Sequence, residues 1–252
     1  MSAHDPTGRF SDRVSDYVRA RPGYPGAVLD VLRRRCSLTE QAVIADIGSG
    51  TGLLAQLFLD HGNTVFAVEP NTEMREAGER LFADRTHFIS VAGGAEATTL
   101  PAASVDFVTA GQAFHWFDRE RARREFARIL RPGGWVVLVW NDRRLDATPF
   151  LRGYEDLLVR HCPEYLKVVH RNVDAGVLKA FFAPLGHEEM VLDNRQRFDW
   201  EGLVARHRSS SFVPRTGHEA GMAELRALFD AQQVGGYVEF EYDTRVQFGR
   251  LS

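Results

Sequence analysis

A chain that carries Asp46-Ile-Gly48-Ser49-Gly50-Thr-Gly52 directly between an apolar run and a helical pattern has few folds open to it. The run Ala42-Val-Ile-Ala-Asp-Ile47 has the length and apolar character of a parallel strand buried on both faces. Leu53, Leu54, Leu57 and Phe58 then recur at helical spacing, and Gly62 supplies the stop. Between strand and helix the chain must turn sharply. Glycines adopt φ > 0 without a Cβ penalty and leave backbone N–H groups open to a ligand. Several nucleotide-binding folds use such a loop, so by itself it marks a site without naming what binds there.

The alternation continues downstream. Residues 64–69, 87–92, 105–110 and 135–140 read as strands, with a helix over about 71–83. A further helix is N-capped by Asp118, with Ala122, Phe126, Ile129 and Leu130 on one face, and Pro132-Gly-Gly134 breaks the chain before the last strand of this set. Five strands separated by helices imply right-handed crossovers and a parallel sheet covered on both faces. After Asn141 the pattern changes: 142–185 reads as helices and loops without strands, a cap or insertion. Residues 187–198 and 237–248 alternate apolar and polar residues, as antiparallel strands joining one edge would.

Composition excludes several classes. With 252 residues, 44% hydrophobic and 26% charged, the chain can bury a full core and is not a disordered or fibrous sequence. Its formal charge of −3 calls for no nucleic-acid partner, and the arginines of 119–131 are interleaved with Glu120 and Glu125 as a solvated helix face. Cys36 and Cys162 have no metal-site or redox spacing, no metal is expected, and the pair suggests a reducing compartment. Neither a leader-like apolar start nor a membrane-length apolar run is evident, so the expectation is a cytoplasmic protein without a membrane partner. The oligomeric state is left open.

Glu69 ends the second strand, where a carboxylate can accept hydrogen bonds from both hydroxyls of a ribose. A dinucleotide fingerprint would place a third glycine at the sixth position from Gly48, which is Leu53. Taken in order, Asp46-x-Gly-x-Gly-x-Gly52, Glu69-Pro-Asn-x-x-Met74 and Leu130-Arg-Pro-Gly-Gly134 resemble a class I S-adenosylmethionine-dependent methyltransferase. The small-molecule, type 11 branch, similar to ubiquinone/menaquinone C-methyltransferases and trans-aconitate methyltransferases, fits best over residues 10–141. The resemblance implies an α/β, Rossmann-like seven-stranded sheet, mostly parallel with an antiparallel edge strand and helices on both faces. It divides the chain into lid helices (1–40), a cofactor-binding core (41–141), and a helical cap with the last two strands (142–252).

The resemblance also assigns roles. Gly48, Ser49, Gly50 and Gly52 would pass beneath the cofactor, with Asp46 ordering the loop. Glu69 would hold the ribose, Pro70 and Met74 would pack on the adenine, Ala95 and Glu96 would meet its edge, and Gln112 would close over the sulfonium. Phe10, Val14, Tyr17, Val18 and Arg21 share a helical stripe ended by Pro22. The stretch from Tyr17 through Arg21 to Tyr24 resembles the lid of these enzymes, which implies that Tyr17 and Arg21 bind the cofactor, with Arg21 able to clamp a carboxylate, the cofactor's own or the acceptor's. On the acceptor side, Tyr24, Phe114, Trp116 and Trp140 are candidate lining, and Arg208-Ser-Ser-Ser211-Phe212 resembles a stretch that reaches the acceptor from the cap. His115, an imidazole with an unperturbed pKa near 6.5, is the candidate general base.

The function expected is methyl transfer to a small organic acceptor by in-line displacement, which needs alignment and exclusion of water more than a catalytic triad. A nicotinamide-dependent oxidoreductase and a non-catalytic S-adenosylmethionine sensor are the alternatives.

Overall fold

The structure is a computed structural model, and it describes residues 21–166, 174–210, 212–214 and 219–251. Strand β1 (Val43–Ile47) is buried over its last four residues, and the apolar run around it leaves no polar face to turn toward water. It pairs in parallel with β2 (Thr64–Val68) on one side and β4 (Val105–Gly111) on the other. Strand β3 (Phe88–Val91) adds to β2, and β5 (Leu130–Arg143) adds to β4, also in parallel. Two late strands, β6 (His187–Phe198) and β7 (Val238–Gly249), complete a seven-stranded sheet of order β3-β2-β1-β4-β5-β7-β6. Strand β7 runs against both neighbours, so the expected antiparallel element sits one place in from the β6 edge.

Helices cover both faces. On one, α1 (Ala27–Cys36) and α2 (Leu53–His61) pack Val28, Leu32, Leu54 and Phe58 against Ile44, Phe107, Val137 and Phe248. The next helix, α3 (Thr72–Leu81), starts where the Asn71 side chain accepts from Met74 N, satisfying one of the open N–H groups of the first turn. On the other face, α4 (Arg119–Ile129) lays Ala122, Phe126 and Ile129 on Val108, Val136 and Leu138, and is capped by Asp118 as its sequence implies.

The structure corrects two boundaries. Residues 27–36, expected with the lid, belong to the core of the sheet, because the apolar stripe of α1 is buried there. The Pro132-Gly-Gly134 break lies inside a strand rather than before one. Leu130 already pairs with Val105, and a register shift, with Gly133 at φ 78°, carries the chain on to the Phe107–Trp135 pair.

The cap arises from a difference in strand length. β6 and β7 pair over 12 residues each, but β5 accompanies β7 only from Gly249 back to Tyr242. The protruding end of the ribbon carries Phe198, Val238 and Phe240 into a third core with α5 (Pro149–His161), α7 (Trp200–Arg208) and α8 (Glu219–Gln232). Helix α6 (Ala175–Phe181) instead joins the core beside α4. Phe150, Leu151, Leu203 and Leu225 are each at most 4% exposed, and burial of such side chains contributes about 1.5–3 kcal/mol apiece, enough to hold the cap on the ribbon.

Candidate functional site

The carboxyl ends of β1, β2 and β4 open onto a cavity of about 340 Å³, within the range of roughly 300–1,000 Å³ typical of small-molecule sites. Its floor is the glycine loop. Gly48 and Gly50 take φ of 66° and 59°, in the left-handed region, and a Cβ on Gly48 would lie 2.8 Å from Ala113 Cβ. Any side chain there would collide with the opposite wall, so glycine keeps the cleft open.

Glu69 sits beside this loop, 8% exposed. Its Oε2 accepts from Gly50 N and its Oε1 from Asn71 N, both at 2.8 Å. Burial raises its pKa, and the two backbone N–H groups oppose that rise. Each oxygen of an ionised carboxylate has a second acceptor site, so both can still receive hydroxyl donors from the cavity they line. Met74 and Pro70 form one side of the cavity and Ala95 and Glu96 another, with Glu96 Oε1 accepting from Asp118 N at 2.8 Å. A floor with carboxylate acceptors, an apolar slot and a Cβ-free loop are features a nucleoside would need.

The residues expected to bind the cofactor therefore divide. Gly48, Gly50, Glu69, Pro70, Met74, Ala95, Glu96 and Gln112 line the cavity. Asp46, Ser49 and Gly52 are not among its lining residues. Asp46 lies beneath the loop, 1% exposed, and its Oδ1 accepts from Thr109 Oγ1 at 3.0 Å. Burial pushes its pKa up to about 7 against that hydrogen bond. A Cβ on Gly52 would lie 2.5 Å from the buried Phe82 ring, so packing is what requires glycine there. Asn71 and Phe117 line the cavity without having been singled out; Asn71 was legible as the N-cap following Glu69-Pro70.

The acceptor-side expectations change more. Gln112 leaves β4 at φ 56°, a conformation rare outside glycine, and turns the chain into the aromatic segment 114–117. Phe114 is fully buried, edge-on to Phe117 and Phe181, and so anchors the core instead of lining the acceptor site. Trp116 and Phe117 line the cavity. His115 packs on Trp116 with ring centroids 4.7 Å apart and is not among the lining residues. Trp140 was a candidate for the acceptor side, but it and Asn141, as successive strand residues, point to opposite faces. Trp140 packs edge-on to Phe114 and borders a separate cavity of about 230 Å³ with Arg245 and Gln247.

Asn141 instead ties the mouth together. Its Nδ2 donates to Gly23 O at 3.2 Å, its Oδ1 accepts from Thr244 and Asn194, and its carbonyl accepts from Gln112 Nε2 at 3.1 Å. Asn194 also donates to Gly23 O at 2.9 Å, and Arg21 Nη2 to Ser209 O at 3.0 Å, so residues 21–23 are fastened across the strand ends. The Tyr24 hydroxyl packs over Gly111, where a Cβ would approach it to 2.5 Å. Tyr17 and the helix expected before Arg21 lie outside the described residues. Beyond Gln112 is another cavity, of about 380 Å³, bordered by Ser210 and Phe212 from the cap segment. Ser211 of that segment is outside the described residues.

An open doubly wound sheet with a buried acid beside a glycine loop at its carboxyl edge places the cavity where α/β folds of this kind take their ligands. Residues 45–138 match the methyltransferase domain family. An uncharacterized methyltransferase of Mycobacterium bovis is 39% identical over 142 residues, 56% of either chain. A methyltransferase-like protein of Schizosaccharomyces pombe is 34% identical over 153 residues, 60% of this chain and 58% of the relative. These matches span less than two thirds of either relative. Among solved structures, a protein described as a candidate type II methyltransferase from Anaeromyxobacter dehalogenans is 25% identical, with a TM-score of 0.65 over 92% of this chain and 98% of its own. Residues 45–138 thus match a methyltransferase domain, and the sheet around them has the fold of a solved structure described as a methyltransferase.

Proposed function

We propose that the protein is an S-adenosylmethionine-dependent methyltransferase acting on a small organic acceptor. The observation that carries this reading is Glu69, held by Gly50 and Asn71 so that the free acceptor sites of its carboxylate serve the cavity. Bound there, the cofactor supplies a methyl group activated by the positive charge on sulfur, open to in-line displacement. The chain's own residues bind and shield. Glu69 would accept from the ribose hydroxyls, and Met74 with Pro70 would pack on the base, a contact that polarizable sulfur favours. Gln112, Trp116 and Phe117 would close the reacting end against water, leaving the acceptor's nucleophile better aligned and less hydrated.

Leu53 and the Phe82 ring packed against Gly52 leave the helix start poorly suited to a dinucleotide's pyrophosphate, which sets the oxidoreductase alternative aside. Among the described residues no cluster of His, Cys, Asp and Glu is placed to hold a metal, and no helix is long and apolar enough to cross a membrane. Action in the cytoplasm belongs to the same proposal.

Calorimetry with S-adenosylhomocysteine tests the cofactor, and release of that product from S-adenosylmethionine with candidate acceptors separates an enzyme from a sensor. Glu69→Ala is expected to weaken S-adenosylhomocysteine about thirtyfold, since hydrogen bonds to a charged group are worth about 1.5–3 kcal/mol. Unchanged affinity in that variant would sink the assignment.

His115 steadies Trp116 in this reading, and no proton passes to it. His115→Ala should therefore leave cofactor affinity intact and raise the acceptor KM, with the pH profile of kcat unaltered. Loss of an ionisation from that profile in the variant would restore the base role.

A further inference from the structure

The cavity beyond Gln112 shares that residue with the nucleoside cavity, so its contents would meet the closed, reacting end of the cofactor site. Two arginines border it. The Arg143 side chain, from the end of β5, is only 10% exposed. Its Nη2 pairs with Glu155 and donates to Tyr165 OH at 3.0 Å, while the guanidinium lies 4.8 Å from the Tyr154 ring centroid. Its Nη1 is buried and has no hydrogen-bond partner among the described residues. Arg206, 9% exposed on α7, donates from Nη1 to Ser210 Oγ at 3.1 Å and from Nε to Tyr242 OH at 3.4 Å. The lining carboxylate, Asp142, is paired with Arg245 at 3.0 Å.

A buried guanidinium nitrogen without an acceptor is costly, which favours a side-chain adjustment that brings it to an acceptor atom held in the cavity Arg143 borders. Guanidinium matches oxyanions in geometry as well as charge. Tyr154, Tyr165 and Phe212 supply aromatic surface in the same cavity for the rest of such a molecule.

We propose that this cavity is the acceptor pocket and that Arg143 and Arg206 select acceptors bearing an oxyanion, a carboxylate or a phosphate, on an apolar or aromatic body. The proposal rests on the methyltransferase reading for its word acceptor, but the anion site itself can be read without turnover.

The test is calorimetry on the full chain, with and without S-adenosylhomocysteine, using benzoate, phenyl phosphate and benzamide as matched probes. One of the two anions is expected to bind at least about tenfold more tightly than benzamide, near 1.4 kcal/mol, and which one does so distinguishes carboxylate from phosphate. Arg206→Gln should reduce the preference to within about threefold. Arg143→Gln would strand Glu155, so the pair is tested as Arg143→Gln with Glu155→Gln, and the same collapse is expected. Equal binding of all three probes, or an anion preference that survives both variants, overturns the proposal. S-adenosylhomocysteine binding without anion preference sinks this inference alone. Anion preference without S-adenosylhomocysteine binding sinks the methyltransferase reading and leaves the anion site standing.

Discussion

Gly50→Val is expected to yield a folded protein that binds S-adenosylhomocysteine at least about a hundredfold more weakly, whereas Gly52→Val is expected to lose stability. The two glycines are two residues apart and both have positive φ, so backbone strain of about 1–2 kcal/mol applies to each. What lies beyond the backbone differs. A Cβ on Gly50 would meet only the tip of the flexible Met74 side chain, at 3.4 Å, and the branched side chain would extend into the cavity beside Glu69. A Cβ on Gly52 would lie 2.5 Å from the Phe82 ring, which is 7% exposed and has little room to retreat. Overpacking a core adds about 1–3 kcal/mol to the strain, and a domain of this size would melt about 10 °C lower. Thermal melts and calorimetry on the two variants separate the effects. Wild-type affinity in Gly50→Val would mean that the loop does not face the ligand.

Asp46 is expected to cost the ligand-free protein stability as pH rises from about 4 to 8, and Asp46→Asn to remove that part of the loss while buried Glu69 keeps its own. Asp46 is buried beneath the loop, and burial raises its pKa from 3.8 to about 7. The folded state thus holds this proton more tightly than the unfolded chain does. Its contribution is fully present below the unfolded value and disappears as pH climbs through the folded one, a change of about 4 kcal/mol. Asparagine keeps an oxygen for the Thr109 hydroxyl and has nothing to ionise. At pH 8 the variant should therefore melt higher than the parent, and at pH 4 the two should agree. Parallel melting curves across the whole range would show that Asp46 is ionised without penalty.

The β1–loop–α2 unit, the carboxylate at the end of β2 and the cap at Asp118 were legible because each depends on residues close in sequence. Misreadings cluster where direction matters. Phe114 and Trp140 are aromatic and near the site, but one is turned wholly into the core and the other faces away from Asn141. Composition at a strand end identifies the neighbourhood of a ligand, and the pleat decides which side chains meet it. Gly52 shows the same ambiguity: its conformation belongs to the loop, and its lack of a side chain answers to Phe82.

Periodicity, glycine placement and capping residues determined the alternating sheet and the position of the cleft at its carboxyl edge, since these act through backbone geometry over a few residues. Only the tertiary structure decided that Arg143 and Arg206 border one cavity. They meet because the β6–β7 ribbon outruns β5 and carries a separate hydrophobic core over the strand ends. No local pattern encodes that meeting, because it follows from the packing of segments far apart in the chain.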